Sequence, residues 1–205
     1  MNTTNYFIVF LVSIPGLILA PALHEFTKAV ISMALGDDLP KRQKMLTLNP
    51  FKYFEPIGFL LLFYSGGFGW GKPVETSGLY YKNRKRDTLM VAILPSVVNF
   101  VCGAIFLGLS GQLATRLNPY IILIFKYMCV YNIGIALYNI LPVAPMDCVK
   151  VLSTVLPANK YFRFMQNEKM IQMFFLLFMF FGFVTGIMNV FINGAIDFLS
   201  IIMIR

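Results

Sequence analysis

A chain of 205 residues that is 58% hydrophobic and only 13% charged, with a mean hydropathy of +0.73, carries too little polar surface to be solvated as a water-soluble globule. Its net charge of +8 does not point to nucleic acid, because the cations gather in three loops between apolar runs. Lys41, Arg42, Lys44 and Lys52 lie in the first, Lys72, Lys82, Arg84, Lys85 and Arg86 in the second, and Lys150, Lys160, Arg163 and Lys169 in the third. That distribution marks the cytosolic side of a membrane protein, and the same face attracts anionic lipid headgroups.

The apolar runs fall near 6–35, 57–71, 88–110, 119–144 and 171–204, and all but the second reach the length a bilayer span needs. The pattern predicts an all-α polytopic membrane protein with about four to six transmembrane helices, forming one integral membrane domain over 1–205. The first run has no basic stretch ahead of it and continues past Ala20 and Ala22, so it reads as a retained span rather than a cleaved leader. Uncharged residues from Asn2 to Asn5 precede it and a basic loop follows it, which predicts an N-terminus outside the cell and the 36–56 loop inside. Pro15 or Pro21 should kink this helix.

The run 57–71 is too short to cross and is flanked by basic loops on both sides, so it reads as a re-entrant element. Its glycines Gly66, Gly67, Gly69 and Gly71 permit irregular backbone packed inside protein, and a short extended hairpin around Lys72-Pro73-Val74 is an alternative. Runs 88–110 and 119–144 make an out-and-back pair. The last run of 34 residues is either one long helix or two packed segments broken near Gly186 to Asn189. The Phe-rich stretch 174–183 reads as lipid-facing bulk, and Trp70, Tyr80 and Tyr81 as interfacial anchors. Cys102 and Cys129 read as small buried hydrophobes.

Within the first run stands His24-Glu25-Phe26-Thr27-Lys28. A His-Glu-x-x-His helix sets two imidazoles one turn apart to grip Zn²⁺, with the glutamate as general base for the bound water. Here Lys28 occupies the second ligand position. Asp147, after Asn139-Ile-Leu-Pro142-Val-Ala-Pro145, ends the 119–144 run at a depth similar to His24, so a His and an Asp from different helices could share a cation.

Ordered motifs along most of the chain resemble the site-2 protease family of intramembrane zinc metalloproteases. They are Leu35-Gly36-Asp37, Leu46-Thr47-Leu48-Asn49-Pro50, Pro56-Ile57-Gly58, Gly66-Gly67-Phe68-Gly69-Trp70 leading to Lys72-Pro73-Val74, then Arg86-Asp87, Pro95, Ser96, Asn99, and Asn139-x-x-Pro142-x-x-Pro145-x-Asp147. The resemblance implies zinc ligands at His24 and Asp147, the general base at Glu25, and substrate-facing roles for Asn99 and for Gly66, Gly67 and Gly69. The sequence departs from the family at Lys28 for His, at Cys148 for the Gly after the aspartate, and at Leu94 for the Gly before Pro95.

To ligate zinc, Lys28 would have to lose its proton, at roughly 4–5 kcal/mol from an ordinary pKa to neutrality. Protonated, it lies within a turn of His24 and Glu25 and can pair with Glu25 or Asp147, which offsets the ~2.5–3.5 kcal/mol an unpaired charge costs at the centre of a span. The reading that follows is a pseudoprotease: a site-2 protease-like protein with an incomplete zinc ligand set that binds transmembrane client proteins. An active zinc protease with His24, Asp147 and a replacement ligand, Cys148 being the candidate thiolate, is the alternative. A third class, an ion transporter using Lys28, Asp147 and Lys126, rests on the cavity-permitting glycines alone. The expected partners are transmembrane protein and lipid, with no nucleic acid.

Overall fold

The computed structural model describes residues 3–203. Asn2, part of the uncharged stretch used to orient the chain, lies outside these bounds, as does residue 204 at the end of the last apolar run. The protein is an all-α membrane protein. Helix α1 (Thr3–Ala34) is followed by a short α2 (Leu39–Arg42), a 3-10 turn at Pro50–Tyr53, α3 (Pro56–Ser65), α4 (Arg84–Gln112), α5 (Pro119–Tyr138), α6 (Cys148–Val155), α7 (Ala158–Gln166), α8 (Glu168–Phe180) and α9 (Phe183–Met203). Four of these, α1, α4, α5 and α9, are long and apolar enough to cross a membrane.

Local chemistry sets the boundaries. Glu55 accepts a hydrogen bond from Gly58 N at 2.6 Å and Pro56 opens the first turn of α3, where its missing N–H costs nothing. The helix stops at Ser65 because Gly66 turns left-handed at φ 74°. Asn83 caps α4 and Asn118 caps α5 through their side-chain oxygens. Helix α1 continues through both Pro15 and Pro21.

The 57–71 run is thus a ten-residue helix followed by a glycine-rich bend, too short to cross. No hairpin forms at 72–74 among the described residues. Its backbone donors go elsewhere, Lys72 N to Tyr53 O at 2.7 Å and Val74 N to the Glu25 carboxylate at 2.8 Å. The expected 119–144 span is shorter than read: α5 ends at Tyr138, and the proline-bearing stretch 139–147 runs irregularly to α6. The third basic loop holds two further helices, α6 and α7. The final run divides into two segments, but at Gly182 (φ 83°) rather than at Gly186–Asn189. Gly186 sits inside α9 facing open space.

Helices α1, α4 and α5 pack on one another, and α9 lies against α4 and α5. A glycine pair fixes the closest approach. A Cβ on Gly134 would stand 2.5 Å from Gly67 Cα, so the glycine bend after α3 presses directly on the α5 backbone. Beside it Phe68 packs edge-on to Trp70 and Tyr138 and against Phe175, which draws α8 into the core. Trp70 is therefore a core ring rather than an interfacial anchor. Tyr81 is likewise buried, sharing a 2.7 Å hydrogen bond with Ser32, and of the three only Tyr80 is exposed. Most phenylalanines of 174–183 are exposed, with Phe175 the inward exception.

Candidate functional site

His24, Glu25 and Lys28 occupy one side of α1 within a single turn, and all three are buried. Asp147 comes to them from the irregular stretch after α5, which Asn139 ties down at both ends. Asn139 donates from Nδ2 to Ile135 O at 2.9 Å, accepts at Oδ1 from Asp147 N at 3.1 Å, and accepts at its carbonyl from Cys148 N at 3.2 Å. Pro142 and Pro145 cannot continue the α5 hydrogen-bond ladder, so the chain folds back as a loop and delivers the carboxylate to α1.

The four groups form one network. Lys28 Nζ lies 2.8 Å from Glu25 Oε1 and 3.0 Å from Asp147 Oδ1. His24 Nε2 lies 2.9 Å from Asp147 Oδ2, and Nδ1 lies 3.1 Å from Asn99 Oδ1, both within hydrogen-bond reach. Asn99, on α4, spends its amide hydrogens on Ala20 O and Asn132 Oδ1, both at 2.9 Å, which turns its oxygen toward the imidazole. The Lys28 ammonium thus stands between two carboxylates. The second Glu25 oxygen accepts from Val74 N, so every side-chain polar atom of the cluster has a partner.

Electrostatics follow from this geometry. Burial pushes the Asp147 carboxyl up, but the Lys28 charge and the hydrogen bond from His24 outweigh it and hold the group below the usual carboxylate range. Lys150, 3.8 Å from Asp147 Oδ1, is lowered from the usual lysine value, first by burial and then by the charge of Lys28.

This donor set, as arranged, does not fit zinc. A zinc centre takes at least three protein donors at about 2.0–2.2 Å with the metal between them. Here His24 and Asp147 bond directly to each other, and the Lys28 ammonium lies between the two carboxylates that would face the ion. No three of His, Cys, Asp and Glu come together to hold a metal among the described residues. The adjoining cavity, lined by His24, Glu25, Gly69, Trp70, Gly71 and Asn139 among others, is only about 10 Å³, room for about one water.

Other residues singled out in the sequence lie around this network. Asn99 is fully buried, with its side chain engaged by His24, Ala20 and Asn132. Gly67 is occupied by its contact with Gly134, Gly69 by contacts with Gly58 and Leu62, and Gly66 faces open space. Lys126 is exposed and stands outside the network. Three participants escaped the sequence reading: Asn132, the Val74 backbone and Lys150. Asn132 was findable as an amide in the middle of an apolar run, since such residues seldom lack a task. A backbone donor such as Val74 leaves no trace in residue identity.

An apolar cleft of about 300 Å³ opens beside the network, between Leu19, Leu23 and Phe26 of α1, Cys102 and Phe106 of α4, Met128 and Asn132 of α5, and the segment 47–53. It reaches the cluster through Asn132, the partner of Asn99.

The chain is 27% identical over 165 residues to the Bacillus subtilis (strain 168) protein named "Putative zinc metalloprotease YwhC", a match covering 74% of this chain and 72% of that one. It is 31% identical over 111 residues to the Mycolicibacterium smegmatis (strain ATCC 700084 / mc(2)155) protein named "Putative zinc metalloprotease Rip2", covering 52% of this chain and 42% of the relative. No family model matches the chain, and no solved structure matches it. The two relatives support the site-2 protease-like reading of the ordered motifs.

Proposed function

We propose that this chain is a pseudoprotease of site-2 protease type: an integral membrane protein that binds transmembrane segments of client proteins and does not hydrolyse them. The observation that carries the reading is the ammonium of Lys28 bridging Glu25 and Asp147. In that arrangement Glu25, the base position, accepts from Lys28 Nζ at one oxygen and from Val74 N at the other, contacts that compete with an attacking water for the carboxylate. The relatives' names supply the lineage from which such a site would have departed. The apolar cleft between α1, α4 and α5 supports a helix-holding role, because its walls offer aliphatic and aromatic contact with one buried amide at the inner end. In the same reading the N-terminus lies outside and the basic loops face the cytosol.

The test is photo-crosslinking in membranes from positions Leu23 and Phe106 in the cleft, in the wild type and in Glu25→Gln. The expected result is client crosslinks at equal yield in both and cleavage products in neither. Client fragments released by the wild type and abolished by Glu25→Gln would overturn the proposal in favour of an active protease.

A further inference from the structure

We infer that the protein carries a specific site for a phosphoryl-bearing anion, best matched by an anionic phospholipid, in a cleft at the end of the bundle where the basic loops lie. The cleft encloses about 690 Å³ between the first turns of α4, helix α6 and helix α7. Three cations line it: Arg84 and Lys85 from α4, and Lys150 from α6. No aspartate or glutamate lines it, and among the described residues neither Arg84 nor Lys85 has a carboxylate within 4 Å. Arg86, by contrast, lies against its neighbour Asp87 at 3.7 Å. Hydroxyls of Thr88 and Tyr161 add donors suited to phosphate oxygens, while that of Ser153 donates to Lys150 O at 2.6 Å.

The lipid assignment rests on the opposite wall. Leu156, Phe162 and Met165 line the same cleft, and the last two are substantially exposed. Helix α7 is short, with Phe162 and Met165 interleaved with Lys160 and Arg163, the pattern of a helix lying in a membrane interface. A ligand here meets cations and hydroxyls at one end and apolar side chains at the other, beside the mouth of a membrane span. A phospholipid headgroup with the start of its acyl chains has that chemistry. A soluble phosphate compound shares only the charged half. The inference stands chiefly on Arg84 and Lys85, which lie outside the His24–Lys28 network, whereas Lys150 also faces Asp147 of that network at 3.8 Å.

The test is native mass spectrometry of the full chain in mild detergent with dioctanoyl phosphatidylglycerol, dioctanoyl phosphatidylcholine or inorganic phosphate. Three proteins are compared: wild type, Arg84→Gln/Lys85→Gln, and Lys41→Gln/Arg42→Gln as a basic pair outside the cleft. The expected result is preferential binding of phosphatidylglycerol, weakened roughly 20- to 30-fold by the Arg84/Lys85 change, with the Lys41/Arg42 change within about twofold of wild type. Phosphate binding as tight as phosphatidylglycerol, with the same loss in the first variant, would keep the anion site and assign it a soluble ligand. Equal weakening in both variants, no preference for the anionic lipid over phosphatidylcholine, or binding of neither anionic probe would overturn the inference. Arg84 and Lys85 are exposed, so an unchanged Tm is expected and confirms folding of the variant.

Discussion

The α1–α4–α5 core and the C-terminal α8–α9 pair are both apolar helices, but they are held by different forces. The most apolar windows of α1 and α5 are 39% and 50% buried, whereas that of α9 is only 17% buried. In the core, burial is reached through glycine contacts and a polar network crossing three helices. The outer pair touches the core through Phe175, Met179, Met188 and Ile192, with partly buried neighbours such as Leu176, Val184 and Leu199, and turns much of its remaining apolar surface outward. Lipid tails are as apolar as leucine, so hydrophobicity alone does not drive helices together in a bilayer. Specificity must come from shape and from hydrogen bonds, and these are concentrated in the core. The C-terminal pair has bulk without address.

Breaking the network should therefore have the largest effect. Lys28→Met leaves Glu25 and Asp147 buried without their cation and is expected to cost about 3–5 kcal/mol, measured by denaturant unfolding in mixed micelles. Next is Gly134→Ala, whose Cβ meets the Gly67 backbone with no flexible atom to yield. An overpacking loss of about 1–3 kcal/mol is expected in the same assay. Tyr138→Phe sharpens the comparison from the other side. Its hydroxyl is the one buried side-chain polar atom without a hydrogen-bond partner among the described residues, so its removal should be neutral or stabilising by up to about 1 kcal/mol. The smallest effect belongs to α9. Val190 is 71% exposed, and Val190→Ala should stay within about 0.5 kcal/mol of wild type by the same unfolding curve.

What was legible in the sequence tracks these forces. The spans follow from counting apolar residues against bilayer thickness, and the shortness of 57–71 already ruled out a crossing. His24, Glu25, Lys28 and Asp147 stood out because charge inside a span needs a reason, and the charge argument identified Glu25 and Asp147 as the groups Lys28 could meet. Less legible were features set by tertiary contact. Gly182 and Gly186 look equivalent in the chain, yet only Gly182 adopts a left-handed turn, where α8 ends and α9 begins. Tyr81 and Trp70 resemble interfacial aromatics by position, but Ser32 and Phe68 draw them inward. The Val74 bond to Glu25 comes from a main-chain amide, and the identity of its residue is silent about it.

The central claim is that an ammonium stands in place of a metal, and the zinc content of the purified full chain in mild detergent tests it most directly. Wild type, Lys28→His and His24→Ala should be measured side by side. The wild type should hold no zinc and Lys28→His should take it up, because there a second imidazole replaces the ammonium beside His24 and Asp147. Near-stoichiometric zinc in the wild type, lost in His24→Ala, would contradict it and restore the chain to the working metalloproteases.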